Sequence, residues 1–199
     1  MKEKIYHVFN HEADAIRNIP ISDDYEKAID LIYEHVHKKN GKLVTSGMGK
    51  AGQIANNIAT TFSSTGTPAA YLHPSEAQHG DLGILQKNDV LLVISNSGRT
   101  REIIELIDLK NCLFPEIPVI LITANPKSPI SEKTACQILT GNPSEVCPLG
   151  LTPTTSTTIM TAIGDAIVVL LMEKIKFSVV DYAKRHHGGY LGAKSRQMQ

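Results

Sequence analysis

The apolar positions of the first forty residues fall at helical spacing. Ile5, Val8, Phe9, Ala13 and Ile16 form one such set, and Ala28, Ile29, Ile32, Tyr33 and Val36 another, so each set would share one helix face. Ile19-Pro20-Ile21-Ser22 separates them, with Ser22 or Asp23 placed to cap the second helix. Beyond residue 40 the period shortens. Apolar runs at Lys42–Thr45, Ala69–Leu72, Val90–Ile94, Val119–Ile122 and Gln137–Leu139 each give way to Gly, Ser, Pro or Asn and, in most cases, to a helical segment. Strands alternating with helices imply βαβ units and a mostly parallel sheet covered on both faces. A long apolar helix over about Thr154–Lys174 and a short one near Val179–Lys184 come next, and residues from about Ala193 read as frayed. No repeat, low-complexity tract or linker divides the chain. The expected fold is one α/β domain over residues 1–199, a three-layer α/β/α sandwich. It would hold a five-stranded, mostly parallel, flavodoxin-like sheet, a helical arm over 1–40 and a core over 41–192.

Composition narrows the partners. The chain carries 20 acidic and 20 basic residues in 199, long enough for a proper core. Its Lys and Arg are scattered, so no nucleic-acid partner is expected. No apolar run approaches the roughly 20 residues of a membrane span, and Met1-Lys2-Glu3-Lys4-Ile5-Tyr6-His7 offers no signal core or cleavage site. A cytoplasmic protein without a membrane partner is the expectation. Cys112, Cys136 and Cys147 are odd in number and lack metal-like spacing, which reads as reduced thiols.

In a parallel sheet, ligands sit outside the carboxyl ends of the strands, and three small-residue loops fall at that edge. Ser46-Gly47-Met48-Gly49-Lys50-Ala51-Gly52 formally contains GxGxxG. The second strand, however, ends Ala70-Tyr71-Leu72-His73 with no carboxylate for a ribose. A P-loop would need glycine where Val44 stands. There remains a loop that sets Lys50 at a helix start. Ser95-Asn96-Ser97-Gly98-Arg99-Thr100 leaves the third strand and opens the helix Glu102–Asp108. Hydroxyls from Ser95, Ser97 and Thr100, a close-approach glycine and free helix N–H groups suit a phosphate dianion. With no GK pair for a phosphate chain, a monophosphate ester fits. The third loop, Glu145 to Thr158, is denser in Ser and Thr than capping requires, and Thr152-Pro153 makes a helix start.

Moving a proton between adjacent sugar carbons through an enediol needs a base, a group that polarises the carbonyl and often one that opens the ring. Lys50, Glu76, Asp81, Glu102, Glu145, His73, His79, His186 and His187 are the candidates near these loops, while Asp165 lies inside an apolar helix. His73, His79 and Asp81 do not follow a recognised zinc spacing. No metal is required, and inhibitory binding at His73 and His79 is the metal reading.

Ser46–Gly52 and Ser95–Thr100 resemble the SIS (sugar isomerase) domain. His73-Pro74-Ser75-Glu76-Ala77-Gln78-His79-Gly80-Asp81-Leu82-Gly83, Glu145-Val146-Cys147-Pro148-Leu149-Gly150-Leu151 and His186-His187-Gly188-Gly189-Tyr190-Leu191-Gly192 resemble the D-arabinose 5-phosphate isomerase family, from about Gly41 to Gly192. The resemblance implies interconversion of D-ribulose 5-phosphate and D-arabinose 5-phosphate for 3-deoxy-D-manno-octulosonate synthesis, in lipopolysaccharide or capsule, with no cofactor. It also implies functional roles for Lys50, Glu102, Glu145 and His186. Phosphate would be held by Ser95, Ser97 and Thr100, and the substrate bordered by Gly49, Gly66, Thr67, His73 and His79. Either glutamate would act as base if burial raises its pKa. A homo-oligomer, a tetramer, with a site at a subunit contact is implied, and one site would then take His186 from a neighbouring chain.

Two departures stand out. Many relatives carry His-Pro-Gly-Gly where this chain has His186-His187-Gly188-Gly189, and many continue into a CBS pair. The chain ends at Gln199, which reads as a stand-alone form whose regulation, for example feedback by a downstream sugar, would act at the isomerase domain. Two alternatives stay open: a SIS isomerase of another ketose phosphate, and a non-catalytic module that senses a sugar phosphate.

Overall fold

The computed structural model describes residues 1–198. Strands β1 (Leu43–Gly47), β2 (Ala69–Tyr71), β3 (Val90–Ile94), β4 (Val119–Thr123) and β5 (Cys136–Leu139) form one sheet in the order β2-β1-β3-β4-β5, with every pairing parallel. Eight helices are described: α1 (Lys2–Arg17), α2 (Asp24–Ile32), α3 (Gly49–Ser64), α4 (Pro74–Ala77), α5 (Arg101–Leu113), α6 (Thr155–Lys174), α7 (Val179–Arg185) and α8 (Gly189–Gln197). A π-helical stretch, Tyr33–Lys38, continues α2.

Alternation along the strands divides the core. Val90, Leu92, Ile94, Ile120 and Ile122 point to one face, where they meet Ile29 and Ile32 of α2, Ile58 and Phe62 of α3 and Ile159 to Leu171 of α6. Leu91, Val93, Val119 and Leu121 point to the other, against Ile103, Leu106 and Ile107 of α5. Because successive side chains of a strand face opposite ways, a strand apolar at every position is buried on both sides. This is the expected α/β/α sandwich. Burying one side chain such as Phe62 contributes about 1.5–3 kcal/mol. α3 and α6 approach closely at Gly164, where an added Cβ would stand 2.5 Å from Ile58 Cδ1.

Some boundaries differ from the sequence reading. β1 runs on through Ser46 and Gly47, because the polar side chains are satisfied inside: Thr45 Oγ1 donates to the Ala55 carbonyl at 2.8 Å and Ser46 Oγ to the Leu72 carbonyl at 2.7 Å. The expectation of a frayed tail is corrected, since residues 189–197 form α8 with Gly192 and Ser195 buried. The expectation that no segment is long and apolar enough to span a membrane is also corrected. α6 meets that test by length and composition, but half of its apolar window is buried in the domain, and it serves as a core helix.

At the amino edge of the sheet, Asp89 is fully buried and pins the starts of two strands. It accepts from Lys42 N at 2.9 Å, Lys42 Nζ at 2.7 Å and Gln86 N at 2.8 Å. The arm is not uniform. α2 and the π-helical stretch supply core residues, whereas α1 buries none.

Candidate active site

The strand order reverses direction beside β1 and β3, and the loops leaving their carboxyl ends enclose a cavity of about 720 Å³. Lys50 of α3, the serine loop and the start of α6 with the preceding loop line it. This is the switch-point position at which such sheets bind ligands.

The serine loop is held from behind. Ser95 Oγ and Thr100 Oγ1 share a hydrogen bond of 2.7 Å, Gly98 N donates to the Ser95 carbonyl at 3.0 Å, and Ser97 Oγ accepts from Arg99 N at 3.2 Å. The neighbouring segment closes over it, with Ala124 N donating to the Asn96 carbonyl at 3.1 Å and Ile130 N to the Gly98 carbonyl at 3.2 Å. Gly98 sits at φ +65°, and a Cβ there would fall 2.0 Å from Ser128 Oγ, so both conformation and space demand glycine. The loop ends at Thr100, the N-cap of α5. The first N–H groups of that helix have no intrahelical partner, and they concentrate positive potential beside the hydroxyls.

Across the cavity, Glu145 is tied to the start of α6. Its Oε2 accepts from Thr154 N at 2.7 Å, Thr154 Oγ1 at 3.1 Å and Ser156 N at 3.3 Å. Burial pushes its carboxyl up, but the hydrogen bonds from Ser156 and Thr154 outweigh burial and hold it below the usual carboxylate value. The premise that burial would raise this glutamate toward neutrality is therefore corrected: Glu145 is ionised at neutral pH, and already in the form that accepts a proton. Lys50 is exposed at the cavity wall, and no carboxylate among the described residues forms an ion pair with it. Next to Glu145, Cys147 Sγ accepts from Leu151 N at 3.3 Å and Thr152 N at 3.2 Å. The Thr152 N–H above all lowers this thiol to about 7.

The cavity thus gathers Lys50, Ser95, Ser97, Thr100 and Glu145. The other expected residues lie elsewhere in this chain. Gly49 opens α3 one residue before Lys50. Glu102, part-buried in the first turn of α5, does not line the cavity. His73 follows β2 at the correct edge, edge-on to Tyr71 and with Nδ1 buried unpartnered, and His79 is exposed. Among the described residues no group of three or more His, Cys, Asp or Glu is placed to hold a metal. Gly66 and Thr67 precede β2 and so sit at the amino edge, where Thr67 Oγ1 meets His37 Nε2 at 3.0 Å; within one chain they do not border this cavity. His186 ends α7, stacked 3.7 Å from the Tyr182 ring with Nδ1 on the Tyr182 carbonyl, and is also outside it.

Sequence reasoning gave no role to Asn96, Arg99, Asn125, Asn142 and Thr157, all of which line the cavity. Arg99 was within a motif already singled out. Asn125 was reachable from its place just past the fourth strand, at the same edge of the sheet.

Residues 35–170 match the SIS domain. The chain belongs to the SIS domain family. Among relatives of this SIS chain, arabinose 5-phosphate isomerase KdsD of Francisella tularensis is 44% identical over 174 residues, covering 87% of this chain and 52% of the relative. KdsD of Pseudomonas aeruginosa is 42% identical over 183 residues, covering 91% and 54%. The chain spans about half the length of these curated relatives. A crystal structure of a proposed phosphosugar isomerase involved in capsule formation, from Bacteroides fragilis NCTC 9343, superposes with TM-score 0.94 at 61% identity, covering 96% of this chain and 99% of that one. A protein of Escherichia coli CFT073 in complex with arabinose 5-phosphate superposes with TM-score 0.84 at 34% identity, covering 92% and 95%.

Proposed function

We propose that this chain interconverts D-ribulose 5-phosphate and D-arabinose 5-phosphate through an enediol. The observation that carries the reading is the pairing, across one cavity, of an ionised carboxylate at Glu145 and a free ammonium at Lys50 with a hydroxyl-lined loop at a helix start. The KdsD relatives and the arabinose 5-phosphate complex of the Escherichia coli protein support the same substrate.

The phosphate sits against Ser95, Ser97, Thr100 and the α5 start, where free N–H groups and the helix dipole favour a dianion. Anchored there, the sugar reaches back toward α6. Glu145 removes the proton from C1 of the ketose, or from C2 of the aldose, and returns it to the adjacent carbon. Lys50 balances the charge that develops on the enediolate oxygen, an effect that strengthens as water is excluded. Glu102 supports proton movement from the α5 side, and His186 opens the ring or shuttles a hydroxyl proton. Since His186 stacks on Tyr182 and does not line the cavity of its own chain, a neighbouring copy supplies it, within a homotetramer. Gly66, Thr67, His73 and His79 border the substrate at that contact, and His73 with His79 binds inhibitory metal. The exposed Leu149, Leu151, Tyr190 and Leu191 fit such burial.

On this reading the chain is one SIS domain, cytoplasmic, supplying sugar phosphate to lipopolysaccharide or capsule synthesis. A downstream sugar exerts feedback in the same pocket. The test is a coupled assay with ribulose 5-phosphate on the wild type and Glu145→Gln. Turnover that is absent, or that persists unchanged in the variant, overturns the proposal.

A further inference from the structure

The loop that delivers Glu145 does not support itself. Among the described residues, positions 141–145 make no backbone–backbone hydrogen bond, the pattern of a segment that opens at low cost. On one side it is held by α6, whose Thr154 and Ser156 grip the Glu145 carboxylate and whose Thr155 Oγ1 accepts from Val146 N at 3.1 Å. On the other its supports come from α1, which lies outside the residues matched by the SIS domain. His11 Nε2 donates to the carbonyl of Ser144, the residue before Glu145, at 2.9 Å. One position on, Glu12 Oε2 accepts from Thr158 Oγ1 at 3.2 Å, on the turn of α6 whose Thr154 and Ser156 N–H groups grip the Glu145 carboxylate. The segment that follows α1 then closes over Gly141, where a Cβ would stand 3.1 Å from Pro20 Cδ and 3.3 Å from the Asn18 carbonyl. The loop between these grips brings both Asn142 and Glu145 to the cavity.

We infer that α1 is an external brace for the Glu145 loop, with His11 as its positioning residue. The imidazole N–H fixes the Ser144 carbonyl and with it the place of the carboxylate over the substrate. α1 buries no residue of its own, so this grip is not a by-product of a core helix that happens to pass by. The inference rests on the isomerase reading for its kinetic consequence, though not for its geometry.

The experiment compares wild type, His11→Leu and His11→Gln by steady-state turnover of ribulose 5-phosphate, with thermal midpoints measured alongside. Leucine fills the space without a donor, whereas the glutamine amide can place an N–H near the position of Nε2. His11→Leu lowers kcat by roughly 10- to 100-fold, the range for a displaced catalytic group, with KM unchanged, and His11→Gln restores most of it. Wild-type kcat in His11→Leu, equal loss in both variants, or a fall that only tracks the melting temperature overturns the brace. Amide exchange at Thr154 and Ser156 is the second readout: it quickens in His11→Leu and not in His11→Gln, and unchanged exchange overturns the inference as well. If the wild type turns over no substrate, the isomerase reading fails and amide exchange alone decides the brace.

Discussion

The two walls of the cavity are built on different physical terms. The serine loop is fixed by the sheet: Ser95 is 2% exposed, its backbone is bonded to β4 and the segment beyond it, and one glycine admits no substitute. The Glu145 loop is held by side chains: a carboxylate on a helix start, a sulfur on two amides and a histidine on a carbonyl. Beyond it, Leu149 and Leu151 stand 75% and 77% exposed. The difference teaches where precision is stored. On the proposed isomerase reading, the phosphate would be anchored by a wall preformed by folding, while the proton-transferring group would sit on a wall whose position is set by a few replaceable contacts.

The comparison can be broken most severely at Glu145. Glu145→Gln leaves KM nearly unaltered and lowers kcat by about 10²–10⁴-fold, the usual worth of a general base, as measured in the coupled assay. Next is Gly98→Ala, which sets a Cβ against Ser128 at positive φ. It costs about 1–3 kcal/mol by urea unfolding, and KM rises because the anchor itself deforms. Thr154→Val is milder. It removes one donor from the Glu145 carboxylate, so the carboxyl moves up toward its ordinary value and the acid limb of kcat/KM shifts to higher pH. The stability consequence has the same sign. Because the folded-state carboxyl is held low, its contribution is full above the ordinary carboxylate value and lost as pH falls through the lowered one. The valine variant therefore differs least from wild type in acid, by thermal melting across pH. The smallest effect concerns Cys147. Its alkylation rises with pH through a midpoint near 7, while buried Cys136, pushed up to about 12, stays inert; peptide mapping after iodoacetamide treatment reads both.

Much of this was visible in the chain itself. β3 and β4 announced themselves through uninterrupted apolar runs, since burial on both faces leaves no polar alternation to confuse with a surface strand. By contrast, β1 includes polar Thr45 and Ser46, β2 is three half-buried residues and β5 alternates at Gln137. The serine loop was legible because its hydroxyls, glycine and helix start are consecutive in sequence. The Glu145 wall was legible only in its residues. That Thr154 and Ser156 lower the carboxyl, contrary to the expectation from burial, depends on distances that spacing does not encode. The brace by His11 joins positions 133 residues apart, and nothing local to His11 signals it. Gly66 and Thr67 lie at the edge opposite the cavity because they enter β2 and do not leave it.

Asp89, at the far edge from the cavity, bears on how the sheet assembles. Its carboxylate is satisfied only when Lys42 and Gln86 stand at their native positions. A slip of β1 against β3 by one residue would turn its side chains to the wrong face and leave a buried carboxylate without its two Lys42 donors, the cation among them, which is far costlier than the pair is worth when made. Asp89 thus acts as a proofreader of strand pairing. The error it rejects is the one that would set Lys50 and the serine loop, each just beyond one of those two strands, out of step with each other.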